Sequence, residues 1–403
     1  MRKIDLNHFQ VATSETARDI NRRIMLNLVR KHQPVSRADL MRYSGLQRST
    51  VSVIAERLIA DRWLKEGAVG NLPRGRKPTF LHLNTERCGV VGVDIQPDVT
   101  TLAVSGMDSR FLARESMTTE RDPQEFIDRL SRRIKDLIRA CPGNSCEGIG
   151  ISLPGRIDAS SQQLVFAPRL SWGELDLKTR LEQNLGLPVE LENAANACAL
   201  AELWSGRHGD EVRNLVVVTV SDGIGVGMVM NGQLVRGSRG VAGEFGHVTL
   251  VPGGPRCRCG NHGCWEALAS NAAAVRSYTE AAPAPKAEAD SQSNPARLSF
   301  GDILRRVEQN DIRAGKVLHQ MARHLGDGLA MLVTGLAPDV VVVVGEITRM
   351  WDRVGPVVAE TVAQRSFTHA ITRILPTDPE AQPRLRGAIA LVLQKHFGAP
   401  LIA

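Results

Sequence analysis

The chain has 403 residues, room for two or three domains at ~100–200 residues each, and its 43% apolar content supplies a sizeable core. No apolar run approaches the ~20 residues of a membrane span, and MRKIDLNHFQ lacks the apolar stretch of a secretory signal, so spanning and exported classes are excluded and a cytoplasmic protein is expected. The net charge of +7 is uneven: residues 1–83 hold 16 Lys+Arg against 7 Asp+Glu, a balance of +9, and the remainder holds 34 against 36, or −2. A short basic module ahead of a near-neutral body directs that module at a polyanion.

Thr16 to Gln33 carries Ile20, Ile24 and Leu28 at spacings of four, one stripe of an amphipathic helix that Pro34 ends. Ser36 is the expected N-cap of a short helix to about Tyr43, with Asp39 near its positive end, and Gly45 makes the turn. From Gln47, RSTVSVIAERLIADRW repeats apolar residues at Val51, Ile54, Leu58 and Ile59, a third helix. Three helices with a glycine turn between the second and third form a helix-turn-helix pattern. The third presents Arg48, Ser49, Thr50 and Ser52 at its amino end, where a cation and short polar groups suit phosphates and base edges in a major groove. LKEGAVGNLPRGRKPTFLHLN then reads as two extended segments about a Gly/Pro-rich turn. This is the outline of a wing with Arg74, Arg76 and Lys77 at its tip, thin and cationic enough for a narrow A·T minor groove. A basic interdomain linker is the plainer reading of the same residues; helices, wing and charge together favour operator DNA as the partner.

The body opens with VVGVDI, Val90 to Ile95, an apolar strand that contains Asp94. CEGIGISLP, LVVVTVSDGIGVGMVM and DVVVVVGEI also read as buried strands, separated by helical stretches such as Gln124 to Arg139 and Ile312 to Leu336. Continuous apolar strands alternating with helices argue for an α/β layered fold. Ala281 to Ala296 is low-complexity and Pro/Ala-rich, an expected surface insertion.

Chemistry is densest in EFGHVTLVPGGPRCRCGNHGCWE, Glu244 to Glu266. Cys88, Cys141, Cys146 and Cys198 are scattered and make no disulfide framework, but Cys257, Cys259 and Cys264 fall within eight positions, with His247 ten residues ahead of the first. Three thiolates and an imidazole are a tetrahedral zinc set, so one structural Zn2+ per chain is expected. Gly253, Gly254, Gly260 and Gly263 give the backbone the freedom to close a small metal loop. His262 is a rival fourth ligand; His247 is preferred because His262 lies only three residues past Cys259. Glu244 and Glu266 flank the set and suit hydrogen bonding to hydroxyls of a small polar ligand.

Glu-x-Gly-His followed by Cys-x-Cys-Gly-x-x-Gly-Cys-x-Glu resembles the signature of the ROK family, which groups sugar-responsive repressors with sugar kinases. The resemblance runs from about Val90 to the C-terminus, and the preceding residues are similar to the family's repressor branch. It implies a two-lobed actin-like, ribonuclease H-like body over 84–403, behind a winged helix-turn-helix over 1–83. It also implies sugar contacts at Asn193, Glu244, His247 and Glu266, with Pro154-Gly155 lining the cleft. Where family kinases have Glu-Asn-Asp-Ala-Asn, with Asp as base, this chain reads Glu192-Asn193-Ala194-Ala195-Asn196. The first phosphate loop, Gly-Gly-Thr-Lys in the kinases, is Ile95-Gln96-Pro97-Asp98, and the second, Gly-Thr-Gly-Ile-Gly, is Ser221-Asp222-Gly223-Ile224-Gly225. The late glycine cluster is reduced to Gly345-Glu346.

These departures remove a proton acceptor and add carboxylates where phosphate would lie, so no catalytic residues and no ATP-dependent activity are expected. The sequence thus points to a DNA-binding repressor of carbohydrate genes whose body senses a sugar. A sugar kinase with an added DNA-binding arm, and a regulator that answers to a protein partner, are the alternatives. A homodimer or a dimer of dimers is expected, because one winged helix reads only a half-site.

Overall fold

The computed structural model describes residues 13–69, 78–85, 89–140, 146–158, 160–205, 208, 211–280, 298–366, 372–378 and 380–398. The predicted wing-tip residues Arg74, Arg76 and Lys77 and the insertion at 281–296 lie outside these residues.

The first three helices are α1 (Ser14–His32), α2 (Arg37–Ser44) and α3 (Arg48–Ala60). α1 starts two residues earlier than its apolar stripe implies, because Thr13 forms a capping box with Thr16. Ser36 caps α2 as expected, exchanging hydrogen bonds with Asp39, and Gly45 ends it at φ 70°. α3 buries Val51, Ala55 and Leu58 and leaves Ile54 and Ile59 only partly covered, so its buried face is centred slightly away from the predicted one. Three short strands, β1 (Val35–Ser36), β2 (Leu64–Val69) and β3 (Thr79–Leu83), form an antiparallel sheet in the order β1-β3-β2. Helices plus this sheet make a winged helix-turn-helix.

The body holds two five-stranded sheets of the same plan. In the first, β4 (Val90–Ile95), β5 (Val99–Ser105) and β6 (Phe111–Thr118) form an antiparallel meander, and β7 (Ile149–Leu153) and β10 (Val189–Asn193) extend it in parallel beyond β4. The short pair β8 (Arg156–Ile157) and β9 (Leu164–Phe166) follows β7, and α4 (Pro123–Ala140) and α5 (Leu177–Leu185) pack over this lobe. In the second, β11 (Leu215–Val220), β12 (Ile224–Met230) and β13 (Gln233–Leu234) form the meander, and β14 (Val340–Val344) and β15 (Arg373–Pro376) extend it. Over it lie α7 (Trp265–Ala269), α8 (Asn271–Glu280), α9 (Phe300–Glu308), α10 (Ile312–Leu336) and α11 (Trp351–Arg365). β4, β7, β11 and β14 are buried along almost their whole length, the reason they read as unbroken apolar runs.

The remaining helices, α6 (Ala194–Ser205) and α12 (Pro383–Phe397), cross between lobes. α6 leaves the first sheet and packs on β11 and β12; α12 leaves the second and packs on β4, β7 and β10; the two also pack on each other. Glycines permit this. A Cβ on Gly387 would lie 1.8 Å from the Ala197 carbonyl oxygen, and one on Gly150 would lie 1.7 Å from that of Ala388.

The carboxyl end of α12 enters the core of the winged helix. Ile389, Val392, Leu393 and Phe397 are buried with Met25, Leu26, Val29 and Trp63. Asn27 Nδ2 donates to the Phe397 carbonyl at 2.6 Å and Arg23 Nη1 to that of Gly398 at 2.9 Å. Arg30 lies 4.4 Å over the Trp204 ring at the end of α6. Among the described residues no helix is long and apolar enough to cross a membrane.

Gly387→Ala should lower the thermal midpoint, with a cost of about 1–3 kcal/mol, because the helices must separate. Gly335→Ala on α10, where nothing lies within 4 Å of the added carbon, should be neutral or stabilising by up to ~1 kcal/mol. Thermal unfolding of the two variants checks the opposite signs.

Candidate functional site

The segment from Glu244 to Glu266 is a knuckle closed by its own backbone. Leu250 N–H donates to the Gly263 carbonyl at 2.8 Å, Gly263 N–H to that of Pro255 at 2.8 Å, and Cys257 N–H to that of Asn261 at 2.8 Å. Gly253, Gly260 and Gly263 take positive φ, as expected; Gly254 does not. Gly263 is the tightest point, since a Cβ there would sit 1.6 Å from the Val251 carbonyl oxygen.

This backbone brings His247, Cys257, Cys259 and Cys264 together, one ligand atom from each lying within 4.8 Å of the others. Cys259 Sγ and Cys264 Sγ are 3.7 Å apart, and Cys257 Sγ lies 3.6 Å from His247 Nδ1. A tetrahedral centre with sulfur at ~2.3 Å and nitrogen at ~2.0–2.1 Å has edges of ~3.8 and ~3.6 Å, close to these two separations, so the set could hold a metal ion. His262, the rival ligand, is outside this cluster. Burial pushes the Cys264 thiol up to about 12, so a thiolate there needs a cation beside it.

The two residues after Cys264 show what the knuckle supports. Trp265 is fully buried, and its Nε1 donates to the His324 carbonyl of α10 at 2.9 Å. Gly328 leaves room for it, since a Cβ there would lie 2.0 Å from the Trp265 ring. Glu266 then points back over the second loop, where its Oε2 accepts from Ile224 N–H at 3.1 Å. Glu244 stands at the other end, exposed, with Oε2 3.8 Å from His247 Nε2. His247 therefore turns one ring nitrogen to the thiols and the other to Glu244, the division of labour that lets one imidazole serve two partners.

Asn193 sits at the end of β10, where its Nδ2 donates to the Gly155 carbonyl at 2.7 Å and its Oδ1 accepts from Ala195 N–H at 2.8 Å. It thus fastens the Pro154-Gly155 loop to the first turn of α6, and it hydrogen-bonds none of Glu244, His247 and Glu266. Ala194, which follows Asn193 on the chain, is half-buried. Two arginines that the sequence pattern does not single out complete the surroundings. Arg236 clamps the buried Glu192 carboxylate at 2.9 and 2.8 Å. Arg169 pairs with Asp222 at 3.3 Å and also lies beside Glu266, their carboxylates opposing the burial that lowers its pKa. The acid read as a misfit in the second loop thus has a partner.

At the other end of the chain, α3 places Arg48 and Ser49 exposed at its first turn and Thr50 and Ser52 half-exposed beside them.

A winged helix-turn-helix joined to a two-lobed α/β body with a Cys/His knuckle is the architecture of a regulator built on a sugar-kinase fold. The chain belongs to the ROK family, whose model matches residues 90–395. It is similar to a xylose repressor of Bacillus subtilis (strain 168), 32% identical over 335 residues that cover 82% of this chain and 83% of that one. Its fold matches the crystal structure of a ROK family transcriptional regulator homologous to the E. coli MLC protein, with a TM-score of 0.80, 25% identity, and coverage of 95% and 98%. A ROK family glucokinase from Streptomyces griseus, solved with glucose and AMPPNP, matches with a TM-score of 0.65 and 28% identity over 75% of this chain and 98% of that one.

Elemental analysis of protein purified without added metal is expected to find one ion per chain. Cys259→Ser should lower that content and the thermal midpoint, and uptake should weaken as pH falls, because protons compete for the thiols. A metal-free, fully stable wild-type protein would contradict this assignment.

Proposed function

We propose that this protein is a cytoplasmic, sugar-responsive DNA-binding transcription regulator, a repressor of carbohydrate genes, that acts as a homodimer or a dimer of dimers. One observation carries the reading: the winged helix shares its core with α12, a helix of the sugar-kinase-like body, so the two halves are built as one mechanism. The similarity to a xylose repressor supports it and makes xylose the first sugar to test. The knuckle would hold a structural Zn2+ through His247, Cys257, Cys259 and Cys264. A bound ion would neutralise the thiolates and stiffen the loop that carries Glu244 and Glu266.

Glu244 and Glu266 would then accept hydrogen bonds from sugar hydroxyls, and the Nε2–H of His247, whose other ring nitrogen faces the metal, would donate to one. Asn193, whose amide is engaged at both ends, acts by holding the Pro154-Gly155 loop and shaping the cleft. The carboxylates would not activate a hydroxyl for phosphoryl transfer. Ala194 offers no base, and Asp222 brings negative charge to the second loop. The similarity to a glucokinase motivates the second reading, a kinase with a DNA-binding arm. A coupled assay with ATP and hexoses or pentoses should show only background turnover, and Ala194→Asp alone should not raise it, because Gln96, Pro97 and Asp222 remain.

DNA would be read by Arg48, Ser49, Thr50 and Ser52 of α3 in a major groove, with Arg74, Arg76 and Lys77 reaching an A·T minor groove. Fluorescence anisotropy with DNA from upstream of the protein's own gene tests this. Affinity should fall steeply with salt and on adding the effector sugar. Arg48→Ala should cost about 1–3 kcal/mol and blur the preferred sequence, whereas Arg74→Ala should matter most on A·T-rich flanks. Binding that ignores both salt and Arg48 would overturn the assignment.

A further inference from the structure

A cavity of about 240 Å³ lies between the lobes and is lined by none of the four residues assigned to the sugar. Its walls come from the end of β4 (Asp94, Gln96), the turn after β14 (Glu346, Arg349) and the first turn of α12 (Gln382, Arg384). These are the places where kinases of the family carry the first phosphate loop and the late glycine cluster. The volume equals about eight waters at ~30 Å³ each and falls below the ~300–1,000 Å³ of sites for drug-sized molecules. The cavity is small for a nucleotide, and Glu346 adds negative charge where its phosphates would lie.

The polar groups in the walls are incompletely satisfied. Asp94 is 5% exposed; its Oδ2 accepts from Gln96 Nε2 at 2.8 Å, but among the described residues Oδ1 closes no hydrogen bond, even with Ser152, its neighbour on β7, whose buried hydroxyl is also left without a partner. Gln382 Oε1 is likewise buried without a partner. Buried polar atoms left in this state are costly, and a polar ligand reaching them from the cavity lowers that cost. Burial raises the Asp94 pKa, with Arg384, Gln96 and Ser152 pulling the other way. A hydroxyl suits the carboxyl in either protonation state, because it both donates and accepts. Cationic groups line the same cavity: exposed Arg349, half-buried Arg384 and the amino end of the 15-residue α12, whose N-cap residue Gln382 makes no capping bond with its side chain. Guanidinium groups and a bare helix amino end attract an anion.

We propose that this interlobe cavity is a second small-molecule site, for a hydroxylated anion no larger than a hexose, with hydroxyls on Asp94 and Gln382 and the anionic group toward Arg349, Arg384 and the amino end of α12. The nucleotide cleft of the fold is here reshaped for a different ligand. The site also lies at one end of the helix whose other end, at Phe397, is bonded into the winged helix. Its occupant therefore stabilises one setting of the helix on which the DNA-binding module rests.

The test is isothermal titration of the full chain with gluconate, glycerol 3-phosphate, inorganic phosphate and ATP. Gluconate and glycerol 3-phosphate separate a carboxylate head from a phosphate head. At least one of the two should bind one per chain, more tightly than inorganic phosphate or ATP. That affinity should fall at least tenfold in Arg349→Ala and in Gln382→Asn, which keeps a side chain tolerant of the observed φ of 49°, and should be unchanged in Glu244→Gln. Thermal midpoints of the ligand-free variants confirm that they fold. No binding of either hydroxylated anion, equal or tighter binding of inorganic phosphate or ATP, or loss in Glu244→Gln with retention in Arg349→Ala would each overturn the proposal. No DNA and no neutral sugar enters the titration, so failure of the sugar-sensing reading would leave these outcomes unchanged.

Discussion

Helices α6 and α12 pass each other at backbone distance, because Gly387 presents no side chain to the Ala197 carbonyl. Gly150 and Gly227 make the same allowance on the two sheets, against Ala388 and Ala195. Each helix springs from one lobe and packs on the other, so neither lobe can turn without sliding or tilting this pair. Packed cores deform by discrete steps, not continuously, so a pair held this closely has few alternative settings. That constraint links the parts of the molecule that carry chemistry.

α6 begins one residue after Asn193, beside the Pro154-Gly155 loop, and carries Trp204 in its last turn, against Arg30 of the winged helix. At twelve residues it is a rod of ~18 Å. α12 begins at the interlobe cavity and ends at Phe397, whose ring meets both Trp204 and Trp63. Two rigid elements therefore run from the Pro154-Gly155 loop and the interlobe cavity into the core of the winged helix. The knuckle contributes from the other side. Cys264, Trp265 and Glu266 are consecutive and are respectively a ligand atom donor, an anchor in α10 and a carboxylate hydrogen-bonded to Ile224, so holding the first fixes the last.

Much of this was legible in the sequence for definite physical reasons. Strands buried on both faces must be apolar throughout, so VVGVDI and DVVVVVGEI declared themselves, and the α10 limits coincide with Ile312 to Leu336. The ligand spacing of the knuckle was legible because His247 and the three cysteines lie within eighteen residues, close enough for local turns to join them. What escaped were long-range encounters. Arg236 with Glu192 and Arg169 with Asp222 join residues more than forty positions apart, and nothing local marks either arginine. The merger of α12 with the winged helix escaped for the same reason: an amphipathic helix announces that it is buried but not against what. Asn193 was found by resemblance, yet its engagement with Gly155 and Ala195 could be seen only in three dimensions.

If α6 and α12 couple the cleft to the winged helix, sugar and operator must each weaken the other's binding by one and the same factor, since the coupling is a single free energy. The direct measurement is the affinity of the effector sugar for the full chain, free and saturated with operator DNA, set beside the affinity of operator with and without sugar. The account predicts two equal ratios, each well above one and typically ~5–150-fold. Sugar affinity that is the same with and without operator would mean that the cleft and the DNA-binding module are uncoupled, and would contradict it.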